Sequence, residues 1–147
     1  MADNIKINQG WAALSRAIRN SEIWQIKPFS KGQAWIDLIL LANYKRGYIT
    51  TKNGQIIEVE RGQCGYSIVA LAENWGWSRN KVIRFSLYLQ DRKMIQQKVI
   101  ANHTIITICN YRYYQDEATN DTINESINEQ QTIQQTDLQF HDFLPFR

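Results

Sequence analysis

Apolar residues recur at helical spacing along the first third of the chain. Trp11, Leu14, Ala17 and Ile18 share one face of the segment from Gly10-Trp11 to Trp24, which predicts a short first helix or a helix with an extended entry. Pro28 punctuates it. Ser30 stands three residues before Gln33, a capping-box pattern, and opens a helix running to about Asn43. Ala34, Trp35, Leu38, Leu41 and Ala42 fall on one face of that helix, with Ile39 beside them, as core. Lys45-Arg46-Gly47 ends it. Two strand-like runs follow, Tyr48 to Lys52 and Gln55 to Glu60, joined by Asn53-Gly54, the pair favoured where a two-residue hairpin needs positive φ. Arg61-Gly62-Gln63 then turns into Cys64-Gly65-Tyr66.

The pattern next becomes helix, tight turn, helix, hairpin. Ser67 caps a short apolar helix, Ile68 to Trp75, which Gly76 breaks, and Trp77-Ser78 leads into a second helix opening on Arg79-Asn80-Lys81. Val82, Phe85, Ser86 and Leu89 recur as an inward stripe, leaving Arg79, Asn80, Ile83, Arg84 and Leu87 on the opposite side. That helix stops near Asp91-Arg92-Lys93. Two β-rich runs close the folded part, Ile95 to Ile100 and Thr104 to Cys109, with Ala101-Asn102-His103 between them. The expectation is an α+β fold: a winged helix-turn-helix with an extra N-terminal β-hairpin and a disordered C-terminal tail. Residues 1–115 form the domain.

After Tyr114-Gln115 the composition changes. The polar tract over 116–137 offers too little apolar surface to offset the entropy of ordering, and reads as a disordered linker. Leu138, Phe140, Phe143, Leu144 and Phe146 then reappear within nine residues, as a short apolar docking peptide over 138–147. Gln135-Thr136-Asp137-Leu138-Gln139-Phe140 resembles the peptide by which bacterial proteins dock on the sliding clamp: Gln135 to hydrogen-bond, Leu138 and Phe140 to fill a cleft, with Asp137 and Phe143 alongside. A generic protein-docking peptide and an end without function stay open beside it.

Charge sharpens this division. Residues 1–115 hold 16 Lys and Arg against 7 Asp and Glu, a difference of +9; residues 116–147 hold one Arg against seven acids, a difference of −6. The body is basic and the tail acidic, which points to a polyanion as the body's partner; ordinary surface lysines are the bland alternative. Hydrophobic content of 44% supports a real core. Cys64 and Cys109 read as free buried thiols of a reducing cytoplasm. Met1 to Gln9 lacks the apolar stretch of a secretion signal, and no apolar run approaches membrane-spanning length.

In the chemistry, duplex DNA comes first. Ser78 at the helix N-cap turns amides with partial positive charge towards a phosphate; Arg79, Lys81 and Arg84 neutralise backbone charge; Asn80 or Arg79 reaches base edges. Lys98, near the hairpin tip, is expected along a phosphate backbone, and His103 either joins it or simply solvates a turn. Ile83 and Leu87 touch thymine methyls or form a protein interface. An enzyme is not expected: the two His are far apart, no Cys/His spacing suits a metal, no phosphate loop or nucleophile elbow is present, and Asp37 and Glu73 read as ordinary surface acids. No cofactor is implied.

Three segments together resemble the N-terminal winged-helix domain of phage and mobile-element replication initiators, the replisome-organiser group related to DnaD. They are Val59-Glu60-Arg61-Gly62-Gln63 leading to Ser67, Leu71-Ala72-Glu73-Asn74-Trp75-Gly76-Trp77-Ser78 with Lys81-Val82, and Thr104 to Tyr111 with Tyr114-Gln115. The likeness spans about residues 10–115, and Ile83 stands where the family often has a basic residue. It implies a protein that binds double-stranded origin DNA and helps recruit the replicative helicase or its loader. A transcription regulator built on the same domain and a protein-interaction adaptor without DNA are the alternatives.

Overall fold

A computed structural model describes residues 12–116 of the chain. Trp11, the polar linker beyond Asp116 and the peptide carrying Gln135, Asp137, Leu138, Phe140 and Phe143 lie outside the described residues. The described part is mixed α+β.

The first predicted helix is reduced to a 3₁₀ turn, Arg16–Asn20. None of its residues is buried, so the stripe of Leu14, Ala17 and Ile18 meets too little apolar surface to support regular helix. Polar anchors hold it instead. Ser15 Oγ accepts the Ala17 N–H (3.2 Å), the Ser21 hydroxyl donates to the Ile18 carbonyl (2.7 Å), and Arg19 Nε donates to Asp37 (2.6 Å).

Helix α1, Lys31–Leu41, starts where the cap predicts, with Ser30 Oγ accepting the Gln33 N–H at 3.1 Å. The Gln33 side chain does not complete the capping box; its amide donates to the Trp24 carbonyl (2.6 Å) and ties the preceding loop to the helix. Asp37 is no surface acid. It is fully buried, receiving Arg19 on one oxygen and the Trp75 indole N–H on the other (2.9 Å). The helix is covered on two sides, by the N-terminal segment and by the second helix, so a face that periodicity assigns to solvent becomes interior.

Strands β1, Gly47–Thr50, and β2, Ile56–Val59, pair antiparallel with Thr50 opposite Ile56. Their connection is longer than the expected two-residue turn. The Gly54 N–H donates to the Thr51 carbonyl and the Thr51 N–H to Gln55, with Gly54 at φ +80° and Asn53 not left-handed. This is a type I turn followed by a left-handed glycine. Ile57 and Val59 pack with Ile105 and Ile49 as a small core of their own.

The main core lies between α1 and the next two helices, α2 (Ile68–Trp75) and α3 (Arg79–Asp91). Serine hydroxyls cap both: Ser67 accepts from Ala70 and Ser78 from Lys81, each at 3.1 Å. Gly76 ends α2 at φ +67°, and a side chain there would press within 2.9 Å of Lys27 Cβ, so both conformation and space select glycine. Trp75, Trp77 and Phe85 then meet edge to face, with centroids 5.1 to 6.1 Å apart. The Trp77 indole donates to the Phe29 carbonyl (2.9 Å). Three aromatic rings and two indole hydrogen bonds thus fix the angle at which α3 leaves the three-residue turn.

Beyond α3, strands β3 (Gln63–Cys64), β4 (Ile95–Ile100) and β5 (His103–Ile108) form an antiparallel sheet in the order β3-β5-β4. The turn of the β4–β5 hairpin is tighter than expected: Ile100 pairs with His103, and Ala101 and Asn102 alone turn the chain at φ +51° and +60°. Positive φ at both central positions is the twist-matched two-residue turn, so His103 joins the strand. A final short helix, α4 (Tyr111–Gln115), returns towards the 3₁₀ turn. Both cysteines are free; Cys64 is buried and its thiol is pushed up to about 11 by that burial, while Cys109 is half-buried and raised for the same reason. No helix among the described residues is long and apolar enough to cross a membrane.

Candidate nucleic-acid interface

Helix α3 turns Val82, Phe85, Ser86 and Leu89 into the core, and its remaining positions follow from roughly 100° per residue. Asn80, Arg84 and Leu87 sit outermost. Lys81, Arg84 and Tyr88 line the flank facing α1, whereas Arg79 and Ile83 lie on the other flank, about 160° from Lys81 in the case of Arg79. Arg79, Asn80 and Arg84 are exposed and Lys81 is half-buried. The helix thus brings Lys81 and Arg84 together and sets Arg79 apart.

Ser78 is exposed, but its hydroxyl is occupied as acceptor for the Lys81 N–H; its role is to begin the helix. The Lys81 ammonium lies 4.2 Å from the centroid of the Trp77 ring, a cation–π contact that holds the charge near the start of α3. Among the described residues, Arg79, Arg84 and Lys98 have no ion-pair partner. Arg19, Arg46, Arg61 and Arg112, all off α3, are each ion-paired with an acid.

The β4–β5 hairpin sits beside α3, joined to it by a hydrogen bond from the Gln97 amide to Gln90 (3.2 Å). Gln97 pairs with Ile106, whose face packs in the main core, while Lys98 pairs with Ile105, which belongs to the small core under β1 and β2. Because paired residues share a face and neighbours alternate, exposed Lys98 stands on the sheet face away from α3. His103 shares that face. It is half-buried, and its ring Nε2–H donates to the Gly65 carbonyl, tying the start of β5 to the segment after β3. Neither residue joins the cluster on α3.

A residue that the sequence reading passed over does join it. Lys31, the first residue of α1, lines a cavity of about 290 Å³ with Lys81, Arg84, Phe85 and Tyr88. Burial, then the nearby charges of Lys81 and Arg84, hold the Lys31 ammonium below the ordinary lysine range. Lys31 is fifty positions from Lys81 in the chain, and no local pattern connects them. Only the packing of α1 against α3 does.

Ile83 and Leu87 remain 42% and 54% exposed, two aliphatic groups beside the exposed cations. Among the described residues no group of three or more His, Cys, Asp or Glu is placed to hold a metal ion. No protein-family model, curated protein or solved structure matches the chain.

Proposed function

We propose that the chain is a winged helix-turn-helix protein that binds double-stranded DNA, with α3 as the helix entering the major groove and the β4–β5 hairpin as the wing. One observation carries the reading: α3 presents Arg84 on its outermost side and Arg79 on one flank, both without ion-pair partners among the described residues, while Arg19, Arg46, Arg61 and Arg112 are paired with acids. Unneutralised guanidinium groups on a rigid helix suit phosphate contacts and bidentate base contacts. Asn80 adds a donor–acceptor pair suited to adenine. Three aromatic rings behind α3 supply the rigidity.

Within that reading, the resemblance to phage and mobile-element replication initiators favours replication initiation as the process, in the cytoplasm. The peptide with Gln135, Asp137, Leu138, Phe140 and Phe143 would recruit a helicase loader or the sliding clamp. Duplex fragments retained by the pure full-length chain test the first step, and their location, inside a replication gene or at a promoter, separates an initiator from a transcription regulator. Failure of the wild type to retain any duplex at low salt, or equal retention by Arg79→Ala/Arg84→Ala, removes DNA binding by this helix. The exposure of Ile83 and Leu87 favours a second reading, an adaptor using α3 on a protein. Loss of a protein partner on Ile83→Asp, with no duplex binding by the wild type, would support it.

A further inference from the structure

A cavity opens between the start of α1 and the flank of α3. Among the described residues its lining side chains are cationic, Lys31, Lys81 and Arg84, or aromatic, Phe85 and Tyr88, and none is acidic. Bringing three positive groups to one cavity is electrostatically unfavourable; burial first, and the charges of Lys81 and Arg84 second, hold Lys31 below the ordinary lysine range. An anion seated among them would relieve the repulsion. The charges are not loosely held: Lys81 is fixed over Trp77, and Phe85 is locked by contacts with both Trp75 and Trp77. At about 290 Å³ the space exceeds a bare oxyanion and admits a phosphate with its adjoining sugar, with half-buried Tyr88 the more accessible of the two rings and Phe85 almost fully buried behind it.

We infer that this cleft is a binding site for a sugar phosphate of nucleic-acid type, with Lys31 and Lys81 on the phosphate oxygens and Arg84 closing the rim. Two sources carry that chemistry: one backbone phosphate of a bound duplex, beside the groove that α3 enters, or a free nucleotide. The first source rests on the DNA reading above; the second does not. In the duplex case, Lys31 is a positioning contact without sequence preference, and it fixes the angle of α3 in the groove by anchoring α1 to the strand.

Lys31→Ala in the full chain tests this, because alanine suits the first turn of α1 and leaves the Trp75–Trp77–Phe85 packing untouched. Duplex affinity measured across a salt series should lose about one unit of salt slope for every sequence, with sequence discrimination unchanged, and Lys31→Arg should restore the slope. In parallel, dAMP and inorganic phosphate are titrated while the NMR signals of Lys31 and the Tyr88 ring are followed. Shifts that saturate with dAMP, beyond those caused by phosphate, and vanish in Lys31→Ala, assign the free-nucleotide source. A wild type that binds duplex with a slope unchanged by Lys31→Ala, and shows no dAMP-dependent shift, overturns the site while leaving DNA binding by α3 intact. A wild type that binds no duplex but shows the dAMP shifts keeps the site and overturns the DNA reading; neither response overturns both.

Discussion

At the seam between the 3₁₀ turn and α4, guanidinium groups face acids, carbonyls and aromatic rings; along α3 they face water. Arg16 donates to the Leu40 carbonyl, the Tyr111 hydroxyl and the Gln115 side chain. Arg61 pairs with Asp116 and stacks on the rings of Tyr44 and Tyr111, and Arg19 is bonded to buried Asp37. Arg79 and Arg84 have no such acid among the described residues. The same residue type therefore fastens an N-terminal segment that lacks a hydrophobic grip in one region, and stays available to a polyanion in the other. Net charge alone does not distinguish these uses; the location of the acids does.

If the two regions divide the cations in this way, substitutions in them should separate stability from DNA affinity. The largest stability effect belongs to Asp37. Asp37→Ala strands the Arg19 charge and the buried Trp75 indole N–H, and should cost about 3 kcal/mol in chemical denaturation. Asp37→Asn, which can still accept from the indole, should cost less. An exposed-site loss below about 0.5 kcal/mol for Asp37→Ala would show that the buried pair contributes little. On the opposite side, Arg79→Ala/Arg84→Ala should leave unfolding within about 0.5 kcal/mol of wild type and lower the salt slope of duplex binding by about two units. A double variant that unfolds easily would place these arginines among the structural ones.

A smaller effect concerns the aliphatic pair on α3. If Ile83 and Leu87 meet thymine methyls, replacing thymine by uracil in a retained duplex should weaken binding by up to about 0.8 kcal/mol per contacted methyl, and Ile83→Ala/Leu87→Ala should abolish the difference. Equal affinity for both duplexes would assign the pair to a protein surface. The smallest effect is at Arg61. Arg61→Ala should cost about 0.5 kcal/mol at neutral pH, since the pair with Asp116 lies at the surface and is only partly covered. Arg61 holds the Asp116 carboxyl below the usual carboxylate range. Its folded pKa being depressed, that stabilisation is complete above the ordinary carboxylate range and is lost as pH falls through the lowered value. The two proteins should therefore converge in acid, and a difference that persists there would point to the Tyr44 and Tyr111 stacking instead.

Much of the fold was legible in sequence because its signals are local. Ser30, Ser67 and Ser78 cap helices through their own hydroxyls, Gly76 supplies a left-handed residue, and the Val82–Leu89 stripe fixes which side of α3 is buried. The predicted first helix failed because periodicity describes a face, not whether anything covers it. Lys98 and His103 were near the hairpin in sequence, yet the two-residue turn at Ala101-Asn102 set the register that places both on the sheet face away from α3.

By itself, then, the chain's order of residues determined its capped helices, its strands and a basic body, since each depends on neighbours a few positions away. Only the tertiary structure decided that Asp37 is interior and that Lys31 joins Lys81 and Arg84 around one cavity. The reason is physical: burial and electrostatic coupling fall off with distance in space, and fifty residues of chain can bring two charges to the same cleft or keep them at opposite ends of the molecule.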